Sequence, residues 1–159
     1  MLQHDAQVKL NPSEEMIHLG STQVRFLVTG TDSHSTIAMF EYTVPVGTKL
    51  AGPPHSHEGC EETIYGLEGV STWTVNGARI DVGPGQGLCI PRGAVHGFGN
   101  QGTIDARVLF TQTPGLIGPE FFRESAEVIK AAGGGPPDRS KMAEIMGRYG
   151  ITPAPPPTV

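Results

Sequence analysis

The sequence predicts an all-β protein, an antiparallel sandwich or barrel that is followed by two short helices. Short runs of β-branched and aromatic residues recur through residues 1–113, and turn-forming residues separate them. No helix-length segment lies between consecutive runs, which favours antiparallel over parallel pairing. The 22 glycines and 14 prolines fit the many tight turns of such a fold.

The N-terminal part of the chain contains two clear predicted strands. They cover residues 23–29 and 36–44, and the turn cluster 30–33 lies between them. Residues 1–20 have no clear period, and one or two short edge strands are expected there. Residues 1–7 are polar and lack the basic and apolar regions of a signal peptide, so we expect none.

The strongest local signal is a predicted β-hairpin at Asn76-Gly77. Alternating residues flank this dipeptide on both sides, over 72–75 and 78–82. A two-residue type I′ turn needs positive φ at both central positions, and Asn and Gly tolerate that conformation. Further short strands are predicted over residues 87–90, 95–100 and 104–112.

The chain changes character after residue 113. Pro119 marks the start of a predicted amphipathic helix, which a Gly-Pro run ends. A second helix is expected to begin with Asp138 or Ser140 as its N-cap and to end at Gly150. The predicted divisions are a barrel over 1–113, a helical extension over 114–150 that packs on the barrel or on a dimer partner, and a Pro-rich tail, extended or disordered, over 151–159.

Composition and charge narrow the range of partners. The formal net charge is −5 and no basic run occurs, which argues against nucleic acid and against an anionic membrane surface. No apolar run approaches the roughly 20 residues that span a bilayer. Two cysteines are too few for a disulfide scaffold. The sequence therefore predicts a cytoplasmic protein whose partner is a small molecule.

Metal-ligating residues are concentrated in two stretches, residues 52–69 and residues 85–100. His55 and His57 are two apart on a predicted strand, so both imidazoles project from the same face. A short turn then returns the chain with an acidic side chain. The second stretch adds His96, which Gly and Pro turns brace. Three histidines and a carboxylate suit a divalent transition metal.

These stretches resemble the two signature motifs of the cupin superfamily. The second motif is matched at each fixed position, by Gly85, Pro91, Gly93, His96 and Asn100. The first motif is matched by His55, His57, Glu62 and Gly69. Its opening glycine is replaced by Lys49, which affects the entry to the strand rather than ligation. The resemblance is strong over residues 36–112.

The resemblance implies a jelly-roll barrel, a double-stranded antiparallel β-helix, with one divalent transition metal ion per chain inside it. The implied ligands are His55, His57, Glu62 and His96, and the ion is Fe, Mn, Ni, Co, Cu or Zn. Within the superfamily, the chain resembles small single-barrel bacterial members, similar to the quercetin dioxygenase-like group. Because small cupins pair through a sheet face, a homodimer is expected.

Three functional hypotheses follow from the resemblance. The first is a dioxygenase-type oxidoreductase that acts on a small oxygenated organic compound, with Glu62 as general base. The second is a non-redox isomerase or lyase that uses the metal as a Lewis acid. The third is a barrel that binds a small molecule without turning it over.

Some neighbouring residues have competing interpretations. Glu61 competes with Glu62, but only Glu62 keeps the six-residue spacing to Gly69, so Glu61 is expected to be solvated on the opposite face. Cys60 is interpreted as a loop thiol without a role, and Cys89 as a small buried residue in an apolar strand. The remaining candidates are expected at the surface (His4, His18, His34), in the core (Tyr65, Trp73, Phe98, Phe110) or in turn or surface positions (Arg92, Asn100).

Overall fold

A computed structural model describes residues 15–155 as two antiparallel sheets with two helices near the C-terminal end. The all-β jelly-roll class predicted from the sequence, with its two short helices, is confirmed. The elements are β1 (Ile17–Leu19), β2 (Thr22–Val28), β3 (Ala38–Val44), β4 (His55–His57), β5 (Glu61–Glu68), β6 (Ser71–Val75), β7 (Ala78–Val82), β8 (Gly87–Ile90), β9 (His96–Gly99), β10 (Ala106–Thr113), α1 (Pro119–Ala131), α2 (Arg139–Arg148) and β11 (Ile151–Pro153).

The two sheets divide the candidate ligands between them. One sheet has six strands in the order β1-β2-β3-β10-β5-β8, and the other has five in the order β11-β4-β9-β6-β7. All the strand pairs are antiparallel. The strands that carry the histidines, β4 and β9, therefore lie in one sheet, and β5, which carries Glu62, lies in the other.

The hairpin between β6 and β7 forms where the sequence predicts it. Asn76 has φ 48° and Gly77 has φ 83°, as a type I′ turn requires. The register set by the turn pairs Val75 with Ala78 and, two residues farther along, Trp73 with Ile80. Because Trp73 is fully buried, this local turn also determines which face of the hairpin enters the core.

The core between the sheets is rich in aromatic rings. The Trp73 ring stacks on Phe98 with centroids 4.6 Å apart, and the Phe40 ring stacks on Phe110 at 4.9 Å. Phe122 reaches in from α1, with its ring centroid 5.3 Å from that of Phe40. Helix α1 thus packs on the barrel and contributes to the same core.

The C-terminal extension returns the chain to the barrel. Helix α1 begins at Pro119, and the N-cap of α2 is Asp138, whose carboxylate accepts from the backbone N–H groups of Ser140 and Lys141. Gly150, at φ +69°, then turns the chain into β11, which pairs with β4. The start of the predicted Pro-rich tail is therefore a strand of the five-stranded sheet.

Two core expectations are wrong. Tyr65 is 46% exposed, because strand alternation directs it outward between the inward-facing Ile64 and Gly66. Cys89 is exposed for the same reason, since Ile90 is the inward residue of β8. The homodimer stays a prediction. Within residues 15–155, neither helix is long and apolar enough to cross a membrane.

Candidate metal centre

Three histidines of the five-stranded sheet converge on one point. His55 lies directly opposite His96 in the pairing of β4 with β9, and His57 follows two residues later on the same face of β4. His57 and His96 are 5% and 2% exposed, whereas His55 is half-buried. The side of the site that remains open to solvent is therefore the side of His55.

The ring nitrogens of these histidines lie close enough to share one ion. His55 Nε2 and His57 Nε2 are 3.1 Å apart. One ligand nitrogen from each of the three histidines lies within 4.8 Å of the others. The structure therefore brings together the three histidines that the sequence singled out.

Backbone carbonyls orient two of the three rings. His55 Nδ1 lies 2.9 Å from the carbonyl oxygen of Pro53, and His96 Nδ1 lies 2.9 Å from that of Ala94. In a neutral ring, an Nδ1–H that donates to a carbonyl leaves Nε2 as the unprotonated nitrogen. Both rings are thus prepared to present an Nε2 lone pair to a metal.

The carboxylate comes from the opposite sheet. Glu62 is 4% exposed, and its Oε1 and Oε2 lie 3.4 Å from His57 Nε2 and 3.2 Å from His96 Nε2. Glu61 lies on the other face of β5, where its carboxylate pairs with Arg92 at 2.8 Å. The structure therefore places Glu62, and not Glu61, against the histidines.

The donor set fits a divalent transition metal. Nitrogen and oxygen ligands bound at about 2.0–2.2 Å to one ion lie roughly 3 Å from one another, which matches the separations of 3.1, 3.2 and 3.4 Å. His96 Nε2 is buried and makes no hydrogen bond of proper geometry within residues 15–155. A buried, unpartnered ring nitrogen surrounded by other ligand atoms is typical of a metal site.

Burial and mutual contacts perturb the pKa values of the cluster. Burial opposes ionisation of Glu62, but the close contacts with His57 and His96 and their charges hold its pKa well below the usual range. Burial likewise opposes the charged form of His96, yet the close contact with the Glu62 carboxylate and its negative charge raise the pKa of His96. Desolvation and the neighbouring His96 lower the pKa of His55 to about 4.

Sequence reasoning missed one member of the site, Gln112. Its Nε2 donates to Glu62 Oε1 at 2.6 Å, and the side chain is 1% exposed. The signal was present in the sequence, because Gln112 continues the inward face of β10 that carries Val108 and Phe110. A polar residue on an otherwise apolar strand face indicates a partner inside the barrel.

The remaining motif residues shape the backbone around the site. Gly69 has φ +62°, and a Cβ there would lie 2.3 Å from the carbonyl oxygen of Asp105, so only glycine fits. The fully buried Asn100 amide donates to the carbonyls of Val44 and Ile104 and accepts from Gly102 N–H. Asn100 is therefore a structural residue of the turn that follows β9.

Other residues considered as candidates lie apart from the cluster or lack a ligand role. His18 and His34 are exposed, and His4 lies outside the described residues. Cys60 is buried, and burial together with the Glu62 charge raises the pKa of its thiol to about 11. A thiol held protonated in this way is a poor metal ligand.

A jelly-roll barrel with three converging histidines and an opposing carboxylate defines a class of small β-barrels with a candidate metal centre. The family model described as "Cupin domain" matches residues 40–111, which include the four side chains. This match identifies residues 40–111 as a cupin domain.

Comparison with individual proteins gives three informative similarities. The polyketide cyclase RemF from Streptomyces resistomycificus is 35% identical, over 58% of this chain and 64% of RemF, with a TM-score of 0.50. The tetracenomycin polyketide synthase protein TcmJ of Streptomyces glaucescens is 29% identical over 83 residues, 52% of this chain. The matched segment spans 56% of the length of TcmJ.

The third similarity concerns the fold. A predicted oxalate decarboxylase from Thermotoga maritima has a TM-score of 0.59 at 22% identity, over 67% of this chain and 99% of the other. At that identity the likeness shows the jelly-roll fold alone.

Proposed function

We propose that this protein is a metal-dependent enzyme that closes a ring in a polyketide-type substrate, a small molecule with several carbonyl groups. The observation that carries the proposal is the buried Glu62 carboxylate, held against three converging histidines. The similarity to RemF and TcmJ supports the substrate class, because both names refer to polyketides.

The metal would be held by His55, His57, His96 and Glu62. When bound, such an ion supplies Lewis acidity that polarises a carbonyl oxygen of the substrate. The chain supplies the orientation, since the carbonyls of Pro53 and Ala94 direct the Nε2 atoms of His55 and His96 towards the centre.

Glu62 is the group of this chain that would move a proton. Its carboxylate is ionised near neutral pH because its contacts with His57 and His96 lower its pKa, and those contacts must loosen for it to accept a proton from the substrate. In ring closure, a methylene between two carbonyls loses a proton to Glu62, and its carbon bonds to the carbon of a third, more distant carbonyl, which closes the ring. Glu62 then returns the proton to the oxygen of that third carbonyl. The new hydroxyl and the remaining hydrogen of the former methylene then leave as water, and a carbon–carbon double bond forms in the ring. The sequence consumes no oxidant and no reductant.

A dioxygenase, the first hypothesis from the sequence, is the second candidate. The donor set is compatible with it, because three nitrogen ligands and one oxygen ligand suit redox-active iron, manganese, nickel, cobalt and copper as well as zinc. The two candidates differ in a measurable way. Ring closure changes the substrate only by loss of water, whereas a dioxygenase adds both atoms of O₂.

The test is an assay of purified protein loaded separately with Zn²⁺, Fe²⁺, Mn²⁺, Co²⁺, Ni²⁺ or Cu²⁺. Linear poly-β-ketone thioesters serve as substrates under air and under nitrogen, and mass spectrometry identifies the products. Glu62→Gln should lose turnover while retaining part of the metal, whereas Glu61→Ala, a matched carboxylate on the outer face, should retain both.

Each result assigns the function differently. A metal-dependent cyclic product formed equally under nitrogen supports the proposal. Products that contain both atoms of labelled O₂ and form only in air would establish the dioxygenase instead. Thioesters that bind and are recovered unchanged with all six metals would favour the barrel that binds a small molecule without turnover.

A further inference from the structure

Gln112 places a buried amide beside the candidate ligand Glu62. It is the inward residue near the end of β10, and its side chain is 1% exposed. The preceding inward residues of that strand, Val108 and Phe110, are buried and apolar. The amide is thus a polar group on a strand face that otherwise builds the core.

The strand register creates the contact between Gln112 and Glu62. The two residues lie directly opposite each other in the antiparallel pairing of β10 with β5. Gln112 Nε2 donates to Glu62 Oε1 at 2.6 Å. The amide has one acceptable orientation here, because the opposite one would bring its oxygen against a carboxylate oxygen, and both atoms are acceptors.

The amide oxygen of Gln112, unlike its nitrogen, makes no hydrogen bond within residues 15–155. This atom, Oε1, is also buried. An unmatched buried acceptor destabilises a fold relative to an apolar side chain of similar size. Packing alone therefore does not explain an amide at this position, whereas its bond to Glu62 does.

We propose that Gln112 is a positioning residue that holds the Glu62 carboxylate in place for metal binding. Its amide engages Oε1, which leaves Oε2 facing His96 at 3.2 Å. Without the amide, Oε1 keeps only its longer contact with His57, at 3.4 Å, and the carboxylate is held less firmly against the histidines. Partners of this kind orient metal ligands and strengthen binding. The inference rests on the metal site of the proposed function but requires no particular reaction.

The test measures metal binding to Gln112→Met, whose side chain has similar length and no hydrogen-bond donor. Co²⁺ and Zn²⁺ affinities are measured by competition with a chromophoric chelator, and the absorption spectrum of the Co²⁺ form is recorded. We expect affinity about 10- to 100-fold weaker than in the unaltered protein, with a changed Co²⁺ spectrum. Thr111→Val, on the outer face of the same strand, is the matched control and should change neither.

A double-mutant cycle separates positioning from a general structural role. In a Glu62→Gln background the carboxylate is gone, so Gln112→Met should have little additional effect on metal affinity. An equal loss in both backgrounds, or no loss in either, would overturn the proposal. If the Met variant fails to fold, as judged by near-ultraviolet circular dichroism, Gln112→Leu takes its place with the same expectations. Because no substrate is used, the outcome is independent of whether ring closure is found.

Discussion

Strand β4, which carries two of the candidate ligands, depends on the C-terminal strand for most of its backbone pairing. β4 pairs with β9 only at His55, whereas all three of its residues pair with β11. The pairing continues at Ala154, whose N–H donates to the carbonyl of Pro54 at 2.9 Å. We therefore predict that breaking the ladder at Thr152 weakens metal binding.

The alternation of an antiparallel ladder identifies the bond to remove. Since Ala154 and Pro54 form a hydrogen-bonded pair, Pro153 and His55 form a pair without hydrogen bonds, as suits a proline. Thr152 then forms the next hydrogen-bonded pair, with Ser56, and donates its N–H to the Ser56 carbonyl. Thr152→Pro removes that donor.

The size of the effect follows from burial. Ser56 is 5% exposed, so its carbonyl would be left with little access to water. An unsatisfied buried acceptor costs about 1–3 kcal/mol. If this cost destabilises β4 in the conformation that binds the metal, metal affinity weakens by about 5- to 140-fold. Each factor of ten in affinity corresponds to about 1.4 kcal/mol.

The assay compares Thr152→Pro with Thr152→Val, which keeps the N–H and the β-branched shape at this exposed position. Zn²⁺ affinity is measured by competition titration, and urea unfolding of the metal-free proteins shows whether the barrel persists. Equal metal affinity in two folded variants would refute the reasoning, since β4 would then hold its ligands in place without β11.

Three further predictions concern the site and its surroundings. In elemental analysis, His96→Ala should have lost its bound metal. Glu61→Ala should retain the metal, because Glu61 pairs with a surface arginine. Loss of metal from Glu61→Ala would mean that the wrong carboxylate is assigned to the site. Protons compete with the metal for His96, whose pKa is raised above its ordinary value of 6.5. Metal affinity, measured in titrations between about pH 8 and about pH 5, should therefore fall as the pH drops through that raised pKa, with a slope that approaches about tenfold per pH unit. His55, with a pKa of about 4, stays largely neutral over this range. A constant affinity over the same range would contradict the prediction. An aromatic disulfide reagent should label one thiol of the native protein, the exposed Cys89, because Cys60 is buried and its thiol has a pKa of about 11. Cys89→Ser should therefore abolish labelling. Labelling of two thiols would show that Cys60 is accessible.

Local sequence signals account for much of the fold. Asn76-Gly77 predicts its hairpin because the required backbone conformation is a property of those two residues. Likewise, Pro119 and Gly150 mark helix ends through their own backbone preferences. Side-chain direction was harder to predict at Tyr65 and Cys89, because a strand's alternation is visible in its sequence, but which face turns inward depends on the sheet that it joins.

Local sequence patterns were enough to predict the cupin motifs and the candidate metal ligands. The spacing of His55 and His57 is a local property of one strand, and the glycine-spaced motif around His96 is local to its turn. The contact between Gln112 and Glu62 is visible only in the folded barrel, because 50 residues separate the two positions in the chain. The same is true of the pairing of β11 with β4. Both contacts depend on which strands become neighbours and in what register, and the whole barrel sets those quantities by burying its inward faces together.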